Sequence, residues 1–183
     1  MRTTKPKSLT GQVLLSHPAM RHDAFRHTVV FIASHDADGA MGVILNRPLR
    51  QTLGELAPGF ATSTLSTTPL YEGGPMKAEH VAFGSLHWTG DGRYHVHFGL
   101  SKERAEGLLS QFPELRLFCF SGHAGWSPGQ LEDELKRHAW VVSPLNPNLM
   151  KEQDGPALWR AFLSRYHPVL RLQAEMPEDL SRN

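Results

Sequence analysis

Apolar residues in this chain fall into short runs divided by glycine, proline and polar clusters, and the period of the runs changes along the sequence. Gly11 to Ser16 reads as a first strand, stopped at His17-Pro18, because Pro18 biases His17 towards extended geometry. The β-branched run Thr28 to Ala33 predicts a well-buried strand, and Ala40 to Leu45 the next. His35-Asp36-Ala37-Asp38-Gly39 supplies turn chemistry between them, so the pair should form an antiparallel hairpin that ends at Asn46-Arg47-Pro48. Thr52 to Leu56 predicts a short helix ended before Pro58. Residues 60–69, rich in Thr and Ser, read as an exposed, mobile connection, and Gly73-Gly74-Pro75 as a turn. A second hairpin follows, Val81 to Leu86 and Arg93 to Phe98, joined by Thr89-Gly90-Asp91-Gly92. Alternation puts Tyr94, Val96, Phe98 and Leu100 on one face and Arg93, His95 and His97 on the other.

Helical spacing then takes over. Ser101 can cap a helix whose apolar face is Ala105, Leu108, Leu109 and Phe112, spaced i, i+3, i+4, i+7 and ended by Pro113. Leu115 to Phe120 predicts a strand leading into Ser121-Gly122-His123-Ala124-Gly125-Trp126, read as a tight loop before a helix. Ser127 suits the N-cap, Pro128 the first helical position, and Gln130 completes a capping box. Glu132, Asp133 and Glu134 fill the helix start and Lys136, Arg137 and His138 its end, matching the dipole. Glu132/Lys136 and Asp133/Arg137 are i,i+4 pairs, and Leu131 and Leu135 mark the buried stripe. Ala139 to Val142 reads as a short strand and Leu145-Asn146-Pro147 as a loop. A final helix is predicted from about Ala157 to Tyr166, with Trp159, Phe162, Leu163 and Tyr166 on one face.

The reading is one α+β domain over residues 11–168, with mainly antiparallel or mixed sheets, a flexible basic tail at 1–10 and a loose tail at 169–183. The 183 residues suffice for one core without staples. A net charge of +1, from 19 basic and 18 acidic side chains, provides no electrostatic footprint for nucleic acid, so direct binding is not expected. The single cysteine, Cys119, lies in an apolar run and reads as a buried structural thiol. No apolar h-region follows Arg2, Lys5 and Lys7, and no segment approaches the ~18 apolar residues of a membrane span. The cytosol is the expected compartment.

The candidate chemistry sits at element ends. Asn46 could orient a ligand and Arg47 grip an anion, or both could satisfy local groups. Gly73 and Gly74 allow a backbone to approach a ligand closely, or simply make the turn. Gly122 and Gly125 admit a ligand cradle or a sharp corner covered by Trp126, which could itself stack on a ligand. A phosphate cradle is disfavoured: no Gly-Lys-Ser/Thr follows, Pro128 removes a donor, and three acids come next. Ser121 is no nucleophile elbow, because Cys119 occupies the position that motif reserves for glycine. His123 with Ser121, Cys119 or His17 is the alternative reading, a small hydrolase or transferase. His95 and His97 could begin a metal site, but Arg93 on their face repels a cation, and neither metal nor cofactor is expected. The leading expectation is a binding or regulatory module without catalytic activity, for an unidentified small ligand or protein. Its site would gather His17, Asn46, Arg47, Gly73, Gly74, His123 and Trp126 from four converging loops.

Several motifs then combine. Leu15-Ser16-His17-Pro18, Asp23-Ala24-Phe25-Arg26, Gly39-Ala40-Met41-Gly42-Val43-Ile44-Leu45-Asn46-Arg47-Pro48, Gly73-Gly74-Pro75 and Gly125-Trp126-Ser127-Pro128-Gly129-Gln130-Leu131-Glu132 resemble, in order and spacing, the YqgE/AlgH family of bacterial proteins. The match runs from about residue 11 to 165. It implies a compact cytosolic α+β domain with coiled, branching sheets and no established activity, together with an association with transcriptional regulation. Two departures stand out: Ser34 where relatives often carry Glu, and His123 where an aromatic residue, often Tyr, precedes Ala-Gly-Trp. A carboxylate mechanism common to the family would lack that Glu in this chain.

Overall fold

The structure, a computed structural model, describes residues 8–89, 91 and 93–175. Gly90 and Gly92 of the expected hairpin turn lie outside the described residues, as do residues 1–7 and 176–183. Three antiparallel strands begin the sheet: β1 (Gln12–Ser16), β2 (Val29–Asp36) and β3 (Gly39–Ile44). The expected hairpin forms, but β2 continues through His35 and Asp36, leaving only Ala37 and Asp38 to reverse the chain. The Asp36 carboxylate accepts from the Asp38 N–H at 2.8 Å and fixes that reversal.

The strands β1 to β3 are buried on both faces, which is why they read as nearly continuous apolar runs. Val13, Leu15, Val29, Phe31 and Val43 point towards Trp159, Phe162 and Leu163 of the last long helix. Leu14, Val30, Ile32 and Ile44 point the other way, onto Trp126, Leu131 and Trp140. Each fully buried Leu, Val or Phe contributes about 1.5–3 kcal/mol of transfer free energy, so two-sided burial makes this the anchor of the fold.

The branch point is β8 (Arg116–Trp126). Its first half lies between β5 (Pro69–Glu72), which runs parallel to it, and β6 (Met76–Trp88), which runs antiparallel. Its second half leaves β5 and pairs antiparallel with β3, Ala40 facing Trp126 and Gly42 facing Ala124. With β4 (Pro48–Thr52), β7 (Tyr94–Leu100) and β9 (Trp140–Pro144), the described residues form one mixed sheet of nine strands. The expected α+β class with branching sheets is what the molecule has.

Six helices are described: α1 (Leu53–Leu56), α2 (Lys102–Gln111), α3 (Gln130–Lys136), α4 (Pro147–Glu152), α5 (Gly155–Tyr166) and α6 (Pro168–Glu175). Ser101 caps α2 as expected, accepting from the Arg104 N–H at 3.2 Å. Several sequence-based expectations fail for identifiable reasons. Ser121 to Trp126 is not a loop: β3 and β6 offer backbone partners, and the segment stays extended. Consequently α3 starts at Gln130, with Gly129 at φ 77° as its N-cap in place of Ser127. Only the returning half of the capping box survives, the Ser127 N–H donating to Gln130 Oε1 at 3.0 Å. Glu132 bonds to His35 rather than Lys136, and Lys136 pairs with Asp133.

Leu145-Asn146-Pro147 was expected as a loop, yet Asn146 caps α4, its side chain accepting from the Asn148 and Leu149 N–H groups. The loose tail expected after 168 is helical as far as Glu175, with Leu170 and Ala174 packed on the core. Within the expected exposed connection at 60–69, Leu65 is fully buried beside Leu53, Leu70 and Phe83. Leu100 joins this same cluster under α2 instead of following Phe98, because Gly99, at φ 71°, bulges out between paired residues and reverses the alternation.

Candidate functional site

The candidate residues fall into three neighbourhoods. In the first, the β5–β6 link crosses β8. The Gly73 N–H donates to the Ser121 carbonyl at 2.7 Å, and the Gly73 carbonyl accepts from the Ile44 N–H at 2.9 Å. A Cβ on Gly74 would meet the His123 carbonyl carbon at 2.3 Å. The close approach that glycine permits here is therefore between two strands. His123 sits beside this crossing, half-buried, paired with Met76. Burial, then the charges of Lys77 and His80, hold its imidazole below the ordinary range. The Ser121 hydroxyl donates to the Ala78 carbonyl at 2.6 Å. Cys119 is fully buried, and burial pushes its thiol up to about 12. Neither is prepared as a nucleophile at neutral pH.

The second neighbourhood holds Trp126 and His17. Trp126 is buried, its ring edge-on to Trp140 at 6.0 Å between centroids. Both indole N–H groups donate to the same Glu134 oxygen, Oε2, at 2.8 and 2.7 Å. His17 follows β1, where its N–H donates to the Ala139 carbonyl and its Nδ1 accepts from the Ala19 N–H. Burial, then the neighbouring His138, lowers its pKa.

The third neighbourhood is a hollow of about 370 Å³ lined by Arg26, His27, Asn46, Arg47 and Pro156. Asn46 is its rigid wall. Only 3% exposed, it accepts from the Val29 N–H at 2.9 Å and donates to the His27 and Gly155 carbonyls, both at 2.9 Å. These bonds tie β2, β3 and the start of α5 together and use both N–H donors of the amide. His27 is held at φ 55°, a region costly for a side chain other than glycine's, with its ring 4.5 Å from that of Trp159. Burial, then Arg26 and Arg160, keep this imidazole below its usual range, so positive charge gathers around it. The Arg47 guanidinium donates to the Asp23 carbonyl at 2.9 Å and makes a long 3.4 Å contact with the half-exposed Glu72 carboxylate.

Asn46 and Arg47 are thus brought together with Arg26, His27 and Pro156, whereas Trp126 is committed to the opposite core. Arg26 was visible in the Asp-Ala-Phe-Arg motif. Nothing in the sequence revealed the His27 backbone or the approach of Pro156, from across 110 residues of chain, to Asn46. No helix among the described residues is long and apolar enough to cross a membrane.

Comparison with known proteins agrees with this architecture. The AlgH-like family model matches residues 13–170. A UPF0301 protein of Streptomyces avermitilis is 35% identical, with 98% of each chain covered. A UPF0301 protein of Methylococcus capsulatus is 33% identical, covering 84% of this chain and 89% of its own. Among solved structures, a Corynebacterium diphtheriae protein superposes with a TM-score of 0.72 at 22% identity, covering 95% of each chain. The AlgH protein of Pseudomonas aeruginosa superposes with a TM-score of 0.67 at 23% identity, covering 98% of this chain and 100% of its own. These two likenesses concern the fold. The chain belongs to the AlgH-like family of UPF0301 proteins, for which no activity is established.

Proposed function

We propose that the protein is a regulatory binding module that holds a small anionic ligand in the Arg26–His27–Asn46–Arg47 hollow and does not transform it. The observation that carries this reading is that two arginines and a histidine line one hollow whose wall Asn46 immobilises. Arginine presents planar pairs of donors suited to carboxylate or phosphate, and charge-assisted bonds of this kind are about twice as strong as neutral ones. The long contact of Arg47 with Glu72 is partly exposed and worth at most about 1 kcal/mol, so an arriving anion can take its place. The His27 conformation fits the same reading, since costly backbone persists where its surroundings over-determine it.

Thermal-shift titration with inorganic phosphate, citrate and nucleoside phosphates tests the proposal. An anion should raise the melting temperature of the parent at millimolar concentrations. The shift should shrink strongly in both Arg26→Gln and Arg47→Gln, with the ligand recovered unchanged by chromatography. An anion that stabilises both variants as much as the parent, or that is converted to product, refutes the reading.

A further inference from the structure

A second hollow lies under β7, away from the arginines. Among the described residues β7 pairs only with β6, so its other edge is open. Its Val96 and Phe98 line a cleft of about 450 Å³ together with Phe31 and Ala33 of β2 and Leu145, and the Phe31 and Phe98 rings pack there with centroids 6.4 Å apart. Thr10, Gly11 and Tyr94 form the remaining rim. Phe31, Val96, Phe98 and Leu145 also line a narrow inner hollow of about 30 Å³ that reaches Phe118 and Phe120, and the surface it presents is wholly apolar. The two spaces share these four residues, and the inner one is the smaller. Tyr94 and Val96 leave 40% and 37% of their surface in water at that rim. A cleft of this size with apolar walls and a few convergent polar groups is the ordinary form of a small-molecule site.

We infer that the cleft binds a linear aliphatic chain ending in an uncharged hydrogen-bond donor, an alcohol or a primary amide. This goes beyond the anion site, with which it shares no lining residue. The inner hollow, of about 30 Å³, has room for the end of a chain and not for a ring system. The head-group preference follows from the rim. Among the described residues no charged side chain lines the outer cleft, so a carboxylate drawn into it would lose hydration without a partner. Two hydroxyls are placed to serve a neutral head. The Ser8 hydroxyl gives its single proton to the His35 carbonyl at 2.8 Å, so Thr10 donates to Ser8 Oγ at 3.0 Å and keeps its own oxygen to accept. Tyr94 donates to the Leu145 carbonyl at 3.2 Å, leaving its oxygen to accept.

The test follows the Val96 methyl signals of the full chain by NMR during titration with 1-hexanol, 1-octanol, 1-decanol and octanoate. The alcohols should shift these signals saturably, with Kd tightening about fourfold per added methylene, as ~0.8 kcal/mol per buried CH₂ requires. Octanoate should bind at least tenfold more weakly than 1-octanol. Ala33→Trp fills the cleft and should abolish binding. Val96→Asp, on the open edge strand, should do the same if the tryptophan variant fails to fold, and Val169→Ser, on α6, should bind as the parent does. Non-saturating shifts, equal binding of octanoate, parent-like binding by both cleft variants, or line broadening with protein concentration that shows a second copy in the cleft would each overturn the inference.

Discussion

A Cβ on Gly73 would stand 2.3 Å from the carbonyl oxygen of Gly122, closer than any real pair of such atoms. The contact exists because Gly73 is bonded on one side to β8 and on the other to β3, where the sheet divides. Gly73→Ala must therefore push two hydrogen-bonded strands apart. A loss of about 1–3 kcal/mol is expected in urea denaturation, the range of overpacked cores. Gly107 in α2 has open space around its Cβ position, so Gly107→Ala should add about 0.5–1 kcal/mol by the same measurement.

Asn46 bonds one N–H and two carbonyls from separate elements. Asn46→Ala leaves these groups without that partner and should cost about 2–4 kcal/mol. Asn46→Asp should be at least as harmful, since a carboxylate would face the His27 and Gly155 carbonyls. Chemical denaturation measures both, and hydrogen exchange should show the Val29 amide opening first.

Glu134 joins Trp126 and Trp140 through one oxygen. Glu134→Ala should destabilise the protein by about 2–3 kcal/mol, since two indole donors lose their partner. The near-ultraviolet circular dichroism of the edge-on indole pair should weaken, while the Gly107→Ala variant keeps it.

The pH dependence has two limbs of opposite cause. His27, His17 and His123 have folded pKa values below the ordinary 6.5, with burial as the first cause in each. Their neutral forms contribute stability that is present above pH 6.5 and is lost as pH falls, because the unfolded chain takes up protons first. Histidine NMR titration should place these three midpoints below 6.5. Arg26→Gln should raise that of His27, and so should a bound anion in the hollow.

Cys119 shows the reverse sign. Its folded pKa is pushed from 9.0 to about 12, so the unfolded chain releases the proton first. Stability should fall between pH 9 and 12 with a slope approaching about 1.4 kcal/mol per pH unit from this group. Cys119→Ala should lower stability at neutral pH but flatten the alkaline limb. In the parent, alkylation by iodoacetamide should proceed only as fast as the protein opens.

Much of this molecule can be read locally. The β-branched run before Ala33, the stripe from Ala105 to Phe112 and the Ser101 cap each carry their own instruction, because burial period and capping depend on neighbours in sequence. Chemistry that depends on distant partners could not be read this way. Glycine tolerates both loop and strand, so Ser121 to Trp126 looked like a corner until β3 and β6 supplied ladders on either side. Asn46 and Arg47 were recognisable as candidates, but the hollow they line also needs Pro156, and its His27 carbonyl is bonded by an amide nineteen residues away. The cleft under β7 has the same origin: alternation marked Val96 and Phe98 as apolar, and only the tertiary placement of β2 and Leu145 beside them made a cleft there.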